Sequence, residues 1–83
     1  MSAAVITLYS RTGCHLCDEA RELILATADG LELELREIDI ESDAALLAAY
    51  LERIPVVELD GREIGELDID GDELRDALHT VRP

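Results

Sequence analysis

The sequence contains no lysine, tryptophan or phenylalanine. Only Tyr9 and Tyr50 are aromatic, so the core of this chain must be built from leucine, isoleucine, valine and alanine. Every basic side chain that is charged at pH 7 is an arginine, and seven of them face 20 acidic residues, which gives a net charge of −13. Because such a surface repels nucleic-acid phosphates and anionic membranes, we expect neither as a partner.

Long hydrophobic segments are also missing. The longest apolar run, Ala44 to Leu51, is far shorter than the ~20 residues that a membrane helix requires. Arg11 follows the first apolar stretch instead of preceding it, which is unlike a secretory signal. These features predict a cytoplasmic protein. A length of 83 residues predicts a single domain over residues 1–83, which we expect to be monomeric.

The spacing of apolar residues predicts the α/β class, with the element order βαβαββα and a four-stranded mixed sheet between helices. Residues 5–9 form a β-branched run typical of a strand that is covered on both faces. Two right-handed crossovers are expected to make the sheet partly parallel. The first helix is expected to end at Asp29-Gly30, and its apolar face comprises Leu16, Ala20, Leu23, Ile24 and Thr27.

The second strand has an interrupted pattern. Leu31, Leu33 and Leu35 alternate in one phase, whereas Ile38 and Ile40 alternate in the other. This change indicates either a bulge near residues 36–37 or a strand that begins only around Leu35, and we favour the later start.

The remaining elements carry their own start and turn signals. Ser42 is the predicted N-cap of a helix that runs to Leu51, and Asp60-Gly61 predicts a hairpin turn between residues 56–59 and 62–65. Asp70 with Glu73 resembles a capping box. The predicted inward-facing residues of these two helices are Leu46, Leu47, Tyr50 and Leu51, then Leu74, Ala77, Leu78 and Val81.

Both cysteines lie in one motif, Cys14-His15-Leu16-Cys17, where the first strand meets the first helix. Amide N–H groups at a helix start stabilise a thiolate, the form that attacks disulfides. Cys17 lies on the same face one turn later and can close a disulfide. Because C-x-x-C beside a βαβ pattern is a strong redox signal, we assign Cys14 as the nucleophile and Cys17 as the resolving thiol. We expect Cys14 to be the more exposed and more acidic thiol.

Other interpretations of these residues stay open. The cysteines are half of a metal site if His15 and His79 complete it, since zinc takes four ligands, or they are two inert core residues. The position of the motif at the first helix turn favours redox chemistry over both.

A second candidate site is Ile54-Pro55. An X-Pro bond is cis in only about 5–6% of folded-protein cases, and a proline that simply begins a strand is the ordinary alternative. Arg11 and Arg53 are either donors to an anionic substrate or ordinary surface arginines.

Residues 9–20, Tyr-Ser-Arg-Thr-Gly-Cys-His-Leu-Cys-Asp-Glu-Ala, resemble the short glutaredoxin-like proteins that carry C-H-L-C, within the thioredoxin-fold superfamily. The resemblance extends through the Ile-Pro, the D-G hairpin and the glycine before the last helix. It implies that the Ile54–Pro55 bond is cis and lies against the cysteines, where backbone can pair with a substrate chain. The substrate-binding residues that we assign are Arg11, His15, Leu16, Arg53, Ile54, Pro55 and Gly65.

The chain departs from typical dithiol glutaredoxins at the glutathione site. His15-Leu16 replaces the Pro-Tyr between the cysteines, and Arg53-Ile54-Pro55 replaces Thr-Val-Pro. Glu66 stands where the family has the second glycine of Gly-Gly-x-Asp, while Arg11 keeps the family's basic residue. We therefore expect weak glutathione binding and no required cofactor beyond the redox-active Cys14–Cys17 disulfide.

The sequence predicts thiol–disulfide oxidoreduction, with a disulfide-containing protein or a small thiol as substrate and a reductant that the sequence does not identify. An iron–sulfur or metal-binding module that uses Cys14 is the alternative, since some glutaredoxin relatives bridge clusters with the first cysteine. Metal analysis of the purified protein separates the two. A redox-inactive adaptor is a third class, and reversible oxidation of the two thiols would exclude it.

Overall fold

A computed structural model describes residues 4–79 of the chain. The elements in this range are β1 (Ala4–Ser10), α1 (His15–Thr27), β2 (Leu33–Asp39), a 3₁₀ turn (Ile40–Ser42), α2 (Ala44–Tyr50), β3 (Val56–Leu59), β4 (Arg62–Glu66) and α3 (Gly71–His79). The predicted α/β class and element order are confirmed. Val81, which was placed on the apolar face of the last helix, lies outside the described residues, and the side chain of His79 is not described.

The four strands form one mixed sheet in the order β2-β1-β3-β4. β1 and β2 are parallel, whereas β3 is antiparallel to both β1 and β4. The second predicted crossover is therefore wrong. The seven residues of α2 rise only about 10 Å, so they do not carry the chain back along a strand of roughly 23 Å. β3 consequently starts beside the end of β1, with Val56 opposite Tyr9.

β2 begins at Leu33 and pairs with β1 in unbroken register, from Leu33 opposite Ala4 to Asp39 opposite Ser10. Both the predicted start near Leu35 and the alternative bulge are wrong. The apolar residues change phase because helices cover both faces of the sheet. Leu33 and Leu35 pack against one buried cluster, and Ile40 belongs to the other.

Two apolar clusters hold the layers together. The larger lies between the sheet and the helices α1 and α3, and its buried members are Ile6, Leu8, Ala20, Ile24, Val57, Leu59, Leu74 and Leu78. The smaller contains Cys17, Ile40 and Ile54, and α2 covers it. The Cys17 side chain is thus part of the smaller core cluster, and Cys14 packs against the edge of that cluster.

The start of α2 differs from the prediction. Asp43 is the N-cap, since its carboxylate accepts the Ala45 N–H at 2.8 Å. Ser42 instead ends the preceding 3₁₀ turn, where its hydroxyl donates to the Asp39 carbonyl at 2.6 Å. A serine that is already bonded in this way is not available as a cap. Leu51 was also predicted to face inward, but it follows the helix and is 43% exposed.

The hairpin and the last helix follow the sequence signals. Asp60 and Gly61 both have positive φ, 51° and 84°, as a two-residue type I′ turn requires. The Asp70 carboxylate accepts the backbone N–H groups of Asp72 and Glu73 at 2.8 and 3.3 Å and so begins α3. Within residues 4–79, no helix is long and apolar enough to cross a membrane.

Candidate active site at the cysteine pair

Cys14 is the N-cap residue of α1 and is joined to Cys17 by a disulfide, with Cα atoms 5.2 Å apart. A turn closed by the Cys14 N–H on the Arg11 carbonyl, 3.3 Å, leads into the helix. Gly13 occupies the position of this turn that needs positive φ, and its φ is 82°. The Cys14 sulfur accepts the Cys17 N–H at 3.1 Å. The helix itself leaves this amide without a partner, and an N–H in such a position is of the kind that stabilises a thiolate.

The two sulfurs have different access to solvent. Cys14 is partly exposed, whereas Cys17 is 0% exposed and packs with Ile40 and Ile54. An incoming disulfide therefore meets Cys14 first. The predicted difference in exposure agrees with this geometry.

His15 points away from the core. Its side chain is 86% exposed, and its Nε2 lies 2.8 Å from the Glu19 carboxylate one turn later. Since the imidazole is turned toward that carboxylate, the described contact of His15 is with Glu19 and not with a cysteine sulfur.

The Ile54–Pro55 peptide bond is cis, and both residues are buried. Ile54 belongs to the same apolar cluster as Cys17, so this loop lies beneath the disulfide. Its backbone is already engaged. The Ile54 N–H donates to the Tyr50 carbonyl at 3.1 Å, and the Pro55 carbonyl accepts the Leu67 N–H at 2.8 Å.

Arg53, the residue before this loop, is held by two carboxylates. Its guanidinium donates to Glu63 and, at 3.2 Å, to Glu66, and it lies 5.5 Å from the centre of the Tyr50 ring. These bonds raise the pKa of Arg53 and lower the pKa of Glu63. The arginine expected to bind an anionic substrate is thus neutralised by the chain's own side chains.

Arg11 and Gly65 also have local partners. Arg11 donates to Glu41 at 3.1 Å. A Cβ at Gly65 would lie 3.2 Å from the Ile69 Cδ1 atom, so this glycine permits close packing between β4 and the segment before α3. Arg11 is thus paired within the chain, and Gly65 has a packing role.

The metal-site alternative can be compared with the positions of the possible donor side chains. Across residues 4–79, no three or more His, Cys, Asp and Glu side chains are grouped so as to hold a metal ion.

Comparison with known proteins gives the same assignment as the motif. The profile of the Glutaredoxin-like domain (DUF836) matches residues 5–79, nearly the whole chain. The chain belongs to this glutaredoxin-like family. The uncharacterized protein Rv0508 of Mycobacterium tuberculosis (strain H37Rv) is 32% identical over 80 residues, which cover 90% of this chain and 82% of the relative.

Solved structures show the fold. Protein XcR50 of X. campestris is 40% identical, with a TM-score of 0.73 over 93% of this chain and 99% of that one. Protein Ne2328 of Nitrosomonas europaea is 26% identical, with a TM-score of 0.78 over 94% of each chain. A mutant thioredoxin of Halobacterium salinarum is 22% identical and superposes with a TM-score of 0.70 over 99% of this chain and 80% of its own. The glutaredoxin-like chain thus has the thioredoxin fold, and its Cys14–Cys17 disulfide supports thiol–disulfide redox function.

The sequence did not reveal how this glutaredoxin-like protein uses its two aromatic residues. Tyr9 and Tyr50 stack with ring centres 4.4 Å apart and planes at 19°, next to the cluster that contains Cys17. The Tyr9 hydroxyl donates to Glu58 at 3.2 Å. Burial, and then the Glu58 carboxylate, raise the pKa of Tyr9 to about 12. Only the rarity of aromatics in the chain could have directed attention to this pair.

The sequence also contained no indication of a cleft that Leu16, the residue before Cys17, helps to line. We call it the Leu16–Leu67 cleft; its volume is about 230 Å³. Leu16, which was predicted to face the core, is instead 48% exposed, and Leu67 is 46% exposed with a positive φ of 62°. A left-handed leucine has no signature in sequence, because glycine, asparagine and aspartate are the residues that adopt that conformation readily. The lining residues are Leu16, Glu19, Ala20, Leu23, Leu67, Asp68 and Ile69.

Proposed function

We propose that this glutaredoxin-like protein is a dithiol thiol–disulfide oxidoreductase, with Cys14 as nucleophile and Cys17 as resolving thiol. One observation carries the proposal. The Cα atoms of the two cysteines lie 5.2 Å apart at the start of α1, and the Cys17 N–H donates to the Cys14 sulfur. Cys14 is partly exposed, whereas Cys17 is buried. This asymmetry suits a pair whose members act in sequence.

In the first step, the Cys14 thiolate attacks one sulfur of a substrate disulfide. A bond forms between Cys14 and that sulfur, the substrate S–S bond breaks, and the other half leaves as a thiolate that takes a proton from water. The Cys17 N–H stabilises the Cys14 thiolate before the attack, because it already points at the sulfur from 3.1 Å.

In the second step, the Cys17 sulfur attacks Cys14 and the proton of the Cys17 thiol passes to the departing substrate sulfur. The Cys14–Cys17 disulfide forms, so the protein loses two electrons and the substrate disulfide gains two. Cys17 sits in a packed cluster, which holds it close to Cys14 and spares the entropy of bringing the sulfurs together. An external thiol reductant returns the pair to its reduced form.

The proposed substrate is a protein disulfide in preference to glutathione. Glutathione is an anion, and both arginines near the site are paired with carboxylates, Arg11 with Glu41 and Arg53 with Glu63 and Glu66. Reaching them would require an incoming carboxylate to displace one that is tethered to the same chain. We propose no cofactor other than the disulfide itself.

A trapping experiment tests the assignment of roles. The reduced protein, Cys14→Ser and Cys17→Ser are mixed with 2-hydroxyethyl disulfide and analysed by intact mass. We expect a lasting adduct on Cys17→Ser, no adduct on Cys14→Ser, and the internal disulfide in the native protein. In the reduced native protein, iodoacetamide is expected to label Cys14 at least about tenfold faster than Cys17, because thiol reactivity follows exposure and thiolate character. An adduct that persists on Cys14→Ser, or faster labelling of Cys17, would refute the assignment.

A further inference from the structure

We propose that the Leu16–Leu67 cleft binds a polypeptide segment that carries an apolar side chain next to a basic one, so that the preferred substrates are disulfides in basic, apolar stretches of other proteins. This inference rests on the proposed thiol–disulfide function and names the class of substrate for it.

The cleft has apolar walls with carboxylates among them, and Leu16 connects it to the redox motif. Leu16 lies between the two cysteines in the chain, so one wall of the cleft begins at the redox motif itself. Of the exposed large hydrophobic residues in the described part of the chain, Leu16 and Leu67 share this cleft. Ala20, Leu23 and Ile69 contribute the rest of its apolar lining. Covering these side chains with an apolar residue is favourable, because it removes apolar surface from water.

The size of the cleft fits side chains of a peptide. Its volume of about 230 Å³ is below the ~300–1,000 Å³ of sites that enclose drug-sized molecules. A second hollow of about 150 Å³ adjoins it, since Asp68 and Ile69 line both. Two hollows that meet at one edge are suited to side chains two residues apart in an extended segment, because such side chains point to the same face.

The negative charge of this surface favours a partner segment with positive charge. Glu19 and Asp68 line the cleft, Glu66, Asp70 and Glu73 line the adjoining hollow, and neither lining includes an arginine or histidine of residues 4–79. Two of the five carboxylates are already occupied. Arg53 binds Glu66, and the Asp70 carboxylate caps α3.

The carboxylates that remain are Glu19, Asp68 and Glu73. Glu19 lies 2.8 Å from the imidazole of His15 on the exposed start of α1. The whole chain carries −13, and a charged cleft with low-dielectric walls concentrates that field. A lysine or arginine beside the apolar anchor is therefore attracted, and an acidic segment is repelled.

The wall formed by Leu67 is fixed in place. Its N–H donates to the Pro55 carbonyl at 2.8 Å and to the Arg53 carbonyl at 3.2 Å. These two bonds tie the cleft to the loop that packs under the disulfide through Ile54. A segment seated in the cleft is consequently presented to Cys14 by a preformed surface, which lowers the ordering cost of the encounter.

The test uses two peptide disulfides that share one leucine beside the cysteine and differ only in flanking residues, two lysines or two glutamates. The reduced full-length protein reacts with each under second-order conditions. Every rate is divided by the rate of the same peptide with dithiothreitol, because basic neighbours accelerate attack by any thiolate. We expect the normalised rate of the basic peptide to exceed that of the acidic one by about tenfold or more at low salt. The ratio is expected to fall as ionic strength rises.

Three variants locate the effect. Asp68→Asn is expected to lower the basic-to-acidic ratio several-fold, and Leu16→Ser to lower the rate of both peptides. Glu32→Gln is the matched control, because it removes the same charge from an exposed site beside the start of β2. The register of β2 with β1 puts that site about seven residues along the strand from the cysteine end, roughly 23 Å. Equal normalised rates, or a ratio that Glu32→Gln changes as much as Asp68→Asn does, would overturn the inference.

A binding measurement separates this inference from the proposed function. The basic peptide with serine in place of cysteine is titrated into the oxidised protein, and backbone amide shifts are followed by NMR. Shifts centred on Leu16, Leu67 and Asp68 support the cleft even if no disulfide, including 2-hydroxyethyl disulfide, is reduced and the redox proposal fails. Absence of shifts at these residues, with normal reduction of 2-hydroxyethyl disulfide, refutes the inference alone.

Discussion

Leu67 should invert the usual stability order of alanine and glycine. In an ordinary loop, alanine is more stable than glycine by about 0.4–1 kcal/mol, because glycine leaves the unfolded chain more freedom to lose. Leu67 has a φ of 62°, where a residue with a Cβ is penalised by roughly 1–2 kcal/mol. Glycine escapes that penalty. We therefore expect Leu67→Gly to be more stable than Leu67→Ala.

The size of the difference follows from those two effects. The left-handed penalty outweighs the entropy advantage of alanine by about 0.5–1 kcal/mol. Both variants lose the same leucine side chain, which is 46% exposed, so the loss of burial cancels in the comparison. The two backbone bonds of the Leu67 N–H hold the residue in this conformation and remain possible in both variants.

Urea denaturation measures the effect directly. With an m-value of about 1 kcal/mol/M for a small domain, the midpoint of Leu67→Gly should lie roughly 0.5–1 M above that of Leu67→Ala. The same two variants should lose equal fractions of the rate on the basic peptide disulfide, because the cleft wall is missing from both. A Leu67→Ala protein at least as stable as Leu67→Gly would show that the residue is not left-handed and would refute the reasoning.

Two further predictions concern Glu66 and Glu37. Glu66→Gln should raise turnover of a glutathione mixed disulfide by about tenfold. The substitution removes a carboxylate that repels the anionic tripeptide, and it removes the ion pair between Glu66 and Arg53. A native protein with high turnover that the substitution leaves unchanged would contradict this. Glu37 accepts hydrogen bonds from Arg21 and Ser10, and the Arg21 bonds chiefly lower its pKa. The stability it supplies is therefore present above the unfolded pKa near 4.3 and lost as pH falls through the lower folded value. Glu37→Gln should cost about 1 kcal/mol at pH 7 and less at pH 3, and an equal cost in urea titrations at both pH values would contradict it.

Local chemistry explains which parts of the fold were predictable. The Asp60-Gly61 turn and the Asp70 cap depend on a few adjacent residues, and both formed as expected. The start of β2 and the direction of β3 were mispredicted because they depend on what covers the second face of the sheet and on how far α2 carries the chain. Apolar periodicity does not contain either quantity.

The site divides in the same way. Cys14 and Cys17 were identified because spacing within one helical turn determines whether their sulfurs can meet. Arg53 was expected to serve a substrate, yet its partners lie 10 and 13 residues away on β4. Whether an arginine is free or ion-paired depends on tertiary contacts. The sequence could therefore identify Arg53 as a candidate but could not show that carboxylates already bind it.

The few positive charges of the chain are mostly engaged in ion pairs within it. Five arginines of the described chain, Arg11, Arg21, Arg36, Arg53 and Arg75, form ion pairs with the chain's own carboxylates. Ion pairs of this kind add at most about 1 kcal/mol each, but each one engages one of the few cations in a chain of −13. The dithiol reaction that we propose uses none of them, since a backbone amide faces the Cys14 sulfur. In our proposal, charge at the cleft can therefore act on the choice of substrate. The linings of the cleft and its adjoining hollow contain carboxylates and no arginine of residues 4–79, so the unpaired charge that a substrate would meet there is negative.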